Sequence, residues 1–178
     1  MNAAEYMKTV EERMSPYYTI QHDLAIKGIE IDLLAEFHTA THRTIITKSD
    51  ILDTYENNEY CLFKVVDHAD KMMVDEFGHF LKNVLGEFVR PNDSHMNSYI
   101  TGILVTEREL DPEVVRFVRT FKYMKAYRLF IHGWSEIRLI LVDLYSGTII
   151  TNKAGSKVKK AYEGALKNNK TCGNKSRG

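Results

Sequence analysis

Cysteine and proline are scarce in this chain, tryptophan occurs once, and formal charges cancel to zero. Two cysteines make neither a disulfide framework nor a metal motif. Cys61 falls in an apolar run and reads as a small buried hydrophobe, whereas Cys172 sits in a polar stretch. No apolar run reaches membrane-spanning length, so a membrane is not among the expected partners. Met1 to Met14 interleaves acidic and basic residues without a signal-peptide core, and the expected location is the cytoplasm. The three prolines act as punctuation, after the first helix (Pro16), at a chain break (Pro91) and at a helix start (Pro112). A length of 178 residues supports one domain with a real core and is marginal for two.

The zero net charge hides an uneven distribution. Residues 1–70 hold thirteen Asp and Glu against six Lys and Arg, and residues 71–151 hold ten of each. From Asn152 onward, eight basic residues face the single Glu163. That basic end reads as a solvated tail, with nucleic acid or an acidic partner as the sharper alternative.

Glu136 to Leu144 is the segment about which the elements arrange. Leu139 to Leu144 has one polar member, so both faces are expected to be covered, as in a central strand. Before it, Ala3 to Met14 has helical spacing. Tyr17–Ile26 and Ile29–His38 alternate as a hairpin about Lys27-Gly28. Strands are then expected at Arg43–Thr47 and Glu59–Val66, with Asn57-Asn58 as a turn between them. Ala69–Val89 is an amphipathic helix, and Tyr99–Thr106 a strand. Asp111 and Pro112 start a helix running to about Tyr123. Tyr127–Ile131 and Thr148–Thr151 are expected strands, and Lys157–Leu166 a last helical segment. The whole reads as a single α/β (α+β) domain over residues 1–166. It has a mixed sheet, an N-terminal antiparallel meander and flanking helices, and residues 167–178 form a disordered basic tail.

This order of helix, meander, helix, strand, helix, strand resembles the restriction-endonuclease-like core. Asp32, in Gly28-Ile29-Glu30-Ile31-Asp32-Leu33-Leu34-Ala35, resembles that family's strand aspartate. Ile46-Thr47-Lys48 and Leu62-Phe63-Lys64 supply the lysine of its Glu-x-Lys motif, with an aliphatic residue in place of the carboxylate. The resemblance implies a metal-dependent phosphodiesterase carried by Asp32, Glu36 and Lys48 or Lys64. The chain as a whole also resembles a set of small bacterial proteins with no assigned activity. That likeness rests on Arg13-Met14-Ser15-Pro16-Tyr17-Tyr18, Glu56-Asn57-Asn58-Glu59-Tyr60, Phe121-Lys122-Tyr123, Gly133-Trp134-Ser135-Glu136-Ile137-Arg138-Leu139 and Thr151-Asn152-Lys153-Ala154-Gly155. It implies no function.

Four places invite chemistry. Glu30, Asp32, Glu36 and His38 share the parity of one strand face, where Asp32, Glu36 and His38 are candidates for a divalent metal; a solvated sheet surface is the simpler reading. The seven histidines show no zinc spacing, and His38 and His42 merely flank one turn. Arg116, Arg119, Lys122 and Lys125 recur every three residues among aromatics. A nucleic-acid backbone would use that pattern, although a helix C-terminus favours cations for its own reasons. Trp134, with Glu136 and Arg138 on the same strand parity, could roof a pocket or plug a sheet edge. No complete catalytic constellation follows from these residues. The leading expectation is a non-catalytic binding or interaction module, open to homodimerisation and needing no cofactor. The alternative is the divergent metal-dependent hydrolase.

Overall fold

The computed structural model describes residues 1–44 and 51–167. Local chemistry sets the helix starts. Asn2 accepts from the Glu5 amide (2.8 Å), and Glu5 accepts from the Asn2 amide (3.1 Å). This reciprocal box opens α1, Ala3–Met14. Asp70 accepts from the Met73 amide and opens α2, Lys71–Phe88. Pro112 begins α3, Pro112–Thr120, but Asp111 before it makes no side-chain cap bond. After a short 3-10 turn, Gly155–Lys157, comes α4, Lys159–Lys167. The expected tail beyond it lies outside the described residues.

The strands are β1 Thr19–Ile26, β2 Ile29–Thr44, β3 Ile51–Val65, β4 His95–Thr106, β5 Met124–Ala126, β6 Trp134–Asp143 and β7 Thr148–Thr151. They form one mixed sheet in the order β1-β2-β3-β4-β6, with β5 and β7 both pairing the far side of β6. β3, β4 and β6 run parallel, and every other pairing is antiparallel. Lys27 and Gly28 both take positive φ (49° and 81°), as a tight two-residue hairpin turn requires.

Helices α2 and α3 cover one face, packing Leu81, Val84, Leu85, Val114 and Val118 on Ile100, Leu104, Leu139 and Leu141. Helices α1 and α4 cover the other, packing Tyr6, Val10 and Tyr162 on Phe63, Ile103, Val105, Ile140 and Val142. Leu139 through Val142 are fully buried, so both faces of β6 are dry. The middle of the strand order falls at β3 and β4, so β6 is a covered inner strand set to one side.

Three expected elements change. Arg43 and Thr44 belong to the end of β2, and Asn57-Asn58 lies inside β3 opposite Thr39 and His38. Cross-strand partners override the turn preference of paired asparagines: Asn58 Oδ1 lies 2.8 Å from His38 Nδ1. Residues 45–47 of the expected third strand lie outside the described residues. Helix α3 stops at Thr120, because Phe121 turns extended (φ −59°, ψ 131°) and its ring packs over Gly78 of α2. Tyr127–Ile131 is a turn rather than a strand, and only Met124–Ala126 pairs with β6. The parity of β2 also breaks at Asp32: Ile31 packs toward α2 and α3, while Leu33 and Ala35 pack toward α1 and α4.

Two positions hold the layers together. Asn152 is buried and fully bonded: its Oδ1 accepts from the Leu139 and Gly155 amides, and its Nδ2 donates to the Ile137 and Phe121 carbonyls. It thereby ties β6, the end of α3 and the start of the last helical segment. Gly102 of β4 lets α2 approach closely. A β-carbon there would overlap the Leu81 side chain and stand 2.8 Å from Phe77 Cε1. Gly102→Ala is therefore expected to cost about 1–3 kcal/mol through overpacking, read as a lower urea midpoint at unchanged slope.

Candidate functional site

On the face covered by α1 and α4, the register sets two polar rows side by side. Glu59 lies opposite Tyr99, and Tyr99 opposite Glu136; one step along, Cys61, Thr101 and Arg138 form the next row. Arg138 reaches back across the Tyr99 ring, its guanidinium 3.6 Å from the centroid, and donates from Nη1 to Glu59 Oε1 at 2.6 Å. Its side chain is 6% exposed and that of Glu59 20%. Arg138 Nε is buried without a hydrogen-bond partner among the described residues, so the ring face below it carries part of its compensation. Trp134 meets the edge of the same Tyr99 ring at 5.4 Å.

Other elements complete the group. Tyr18, between α1 and β1, donates its hydroxyl to Glu59 Oε2 at 3.1 Å. Thr101 makes a long 3.5 Å contact to Oε1. Tyr162 of α4 brings its hydroxyl 3.7 Å from Cys61 Sγ. Burial, helped by the Glu59 carboxylate, pushes the Cys61 thiol up from 9.0 to about 12. Burial also lifts the Tyr18 and Tyr162 phenols well above their ordinary range, with Cys61 the next cause for both. At neutral pH all three stay protonated, and a thiol in that state is a poor nucleophile.

Beside this group opens a cleft of about 400 Å³ between α1 and α4. Val10, Met14, Pro16, Val158 and Ala161 supply apolar wall, Glu59, Tyr18 and Tyr162 supply polar groups, and Glu12 and Arg13 complete the lining.

The other candidates are dispersed. Asp32 is exposed on the α1 side, where its carboxylate accepts the Val65 amide at 2.7 Å. Lys64 faces α2 and donates to the Glu30 carbonyl at 2.8 Å. Asp32 and Lys64 thus occupy opposite faces of the sheet. Glu36 accepts from Gln21 at 2.8 Å, and His38 pairs with Asn58. Lys48 lies outside the described residues, as does the side chain of His42. Among the described residues, no group of three His, Cys, Asp or Glu is placed to hold a metal ion. The hydrolase reading is not favoured.

Arg116 and Arg119 project from α3, but the helix ends before Lys122. Lys125 belongs to β5, with Nζ 5.4 Å from the Tyr127 ring, so the four do not form one helical track. Glu136 lies 3.9 Å from Lys157. Sequence reasoning missed Glu59, Tyr18 and Tyr162. For Glu59 a signal existed: it shares strand parity with Cys61 and Phe63, an acid leading an otherwise apolar face.

Removing one partner of the ion pair leaves the other buried alone. Glu59→Ala is expected to lower stability by about 3 kcal/mol, the low end for a buried pair because Glu59 keeps some exposure. Replacing both, Glu59→Leu with Arg138→Met, should recover most of the loss in urea unfolding. In a Cys172→Ser background, Cys61 should resist iodoacetamide until the protein unfolds. Because folding favours the protonated forms, this contribution is whole below pH 9.0 and is lost as pH rises toward about 12, read as alkaline loss of thermal stability.

No curated protein gives a significant match to the chain. Residues 2–164, which include the ion pair and all of the cleft lining, match the family model described as Domain of unknown function (DUF8052), and the chain belongs to that family.

Proposed function

We propose that the protein is a non-catalytic binding module that takes a small amphiphilic molecule in the cleft between α1 and α4. The cleft volume suits a ligand of that kind, and the lining combines apolar wall with a few convergent polar atoms. One observation carries the reading: Glu59 is fixed by Arg138 and Tyr18, yet its side chain lines the cleft and stays partly exposed.

The polarity of that end follows from the bonding. Glu59 Oε1 is taken by Arg138, while among the described residues Oε2 accepts only the Tyr18 hydroxyl and has capacity left. Tyr18 has spent its single proton on Glu59, so its oxygen can only accept. Both atoms therefore ask for a donor, and the favoured ligand carries an amine head on an apolar or aromatic body. Arg13 and Glu12 add one charge of each sign to the lining. The protonated state of Cys61, Tyr18 and Tyr162 supports recognition over covalent chemistry.

Calorimetry with phenethylamine and with 3-phenylpropanoate, matched in body and opposite in head group, tests this. The amine is expected to bind and raise the melting temperature by mass action, and the carboxylate is expected to do neither. Ala161 is exposed and lines the cleft, so Ala161→Trp should leave the fold intact and abolish binding. Amine binding that survives Ala161→Trp, or no amine binding at all, would overturn the reading.

A further inference from the structure

The least expected surface feature lies outside the cleft, at the tip of the β5–β6 hairpin. Three successive large apolar side chains stand in solvent there: Leu129 is 91% exposed, Phe130 57% and Ile131 74%. Isolated exposed apolar residues are ordinary, but a contiguous run marks a contact surface. The backbone beneath is strained. Arg128, Leu129 and Phe130, none a glycine, all take positive φ (43°, 52° and 71°). Such a conformation persists only where its surroundings impose it, and it concentrates at functional segments.

The base imposes it here. Tyr127 donates to the Gly133 carbonyl, His132 to the Tyr127 carbonyl and Ile131 to the Arg128 carbonyl, all between 3.0 and 3.2 Å. His132 is also clamped, its Nε2 2.9 Å from Asp93 and its carbonyl 2.7 Å from His95 Nδ1. The root of the loop is thus fixed and its apolar end bare, a convex tip rather than a groove.

Charge selects among partners for such a tip. From Lys122 to Ser135 the chain carries Lys122, Lys125 and Arg128 and no Asp or Glu. All three cations are exposed. Each neighbouring carboxylate has a contact of its own, Asp93 with His132 at 2.9 Å and Glu136 with Lys157 at 3.9 Å. Pairing two copies tip to tip would set like charges together. An anionic lipid surface would meet both features, burying the apolar side chains at the acyl boundary and attracting the cations to its headgroups. We propose that the Arg128–Ile131 tip inserts into the interfacial layer of an anionic membrane. No described helix is long and apolar enough to cross a membrane, and a docking loop needs none. This departs from the expectation that a membrane is not a partner, which rested on the lack of an apolar run of spanning length.

Co-sedimentation with vesicles tests the proposal, using phosphatidylcholine alone and an equimolar mixture with phosphatidylserine at low salt. The full chain should pellet with the mixed vesicles, weakly with phosphatidylcholine, and less as salt rises. The paired substitution Leu129→Glu and Phe130→Glu touches only exposed side chains, so the fold should be retained by circular dichroism while the vesicle partition coefficient falls about tenfold or more. Arg128→Glu should reduce binding to the mixed vesicles and leave the weak phosphatidylcholine binding unchanged. No pelleting with the mixed vesicles, or pelleting unchanged by the paired substitution, would overturn the proposal. So would a dimer in size-exclusion light scattering that the paired substitution dissociates, which would make the occupant a second copy of the chain.

Discussion

Burial of β4 and β6 on both faces is the constraint from which the rest of the structure follows. A strand dry on both sides must have a helix over each, and any polar group it carries must find a partner inside the protein. Helices α2 and α3 serve one face, α1 and α4 the other. Arg138 is the exception that tests the rule. It is a cation on an inner strand, and it is accommodated only because β3 presents Glu59, β4 presents the Tyr99 ring, and Tyr18 closes over the carboxylate. The cleft adjoins that accommodation, where α1 and α4 part enough to leave the Glu59 side chain partly open.

The same dryness decides what kind of chemistry the cluster supports. Buried phenols and a buried thiol are held protonated, so they donate or accept hydrogen bonds and do not attack. The group is preorganised, with Arg138 holding Glu59 Oε1 and Tyr18 donating to Oε2, which leaves acceptor atoms for a donor head group. Asp32 shows the opposite case: an acid drawn into the ladder, spending its carboxylate on the Val65 amide where β2 separates from β3. A residue serving as a backbone substitute in this way is poorly placed to ligate a metal.

Much of the framework was legible from local pattern. The first helix, the Lys27-Gly28 hairpin, the start at Pro112 and the two-sided burial of Leu139 to Val142 each depend on a few neighbouring residues, and the structure contains them. The errors share one cause. Asn57-Asn58 has a strong turn preference, yet a long cross-strand register with β2 holds it extended. Lys122 and Lys125 continue a three-residue period past Thr120, but the chain leaves the helix where the Phe121 ring seats over Gly78. Tyr127 to Ile131 is β-rich by composition, yet it turns back, closed by the bonds of Tyr127 with His132 and Gly133, with His132 pinned by His95 and Asp93.

The candidate site divides along the same line. Trp134 stood out as the lone tryptophan and Arg138 as a polar group sharing its strand parity, both signals within a few residues. Glu59, Tyr18 and Tyr162 lie 79, 120 and 24 residues from Arg138 along the chain, and no spacing rule links them. Periodicity and capping chemistry determined which segments became helices and strands, and that both faces of the sheet would be covered, because these depend on interactions within a few residues. Only the tertiary structure decided which polar side chains meet, because parallel pairing of β3, β4 and β6 and the closing of α4 over them depend on contacts between distant parts of the chain.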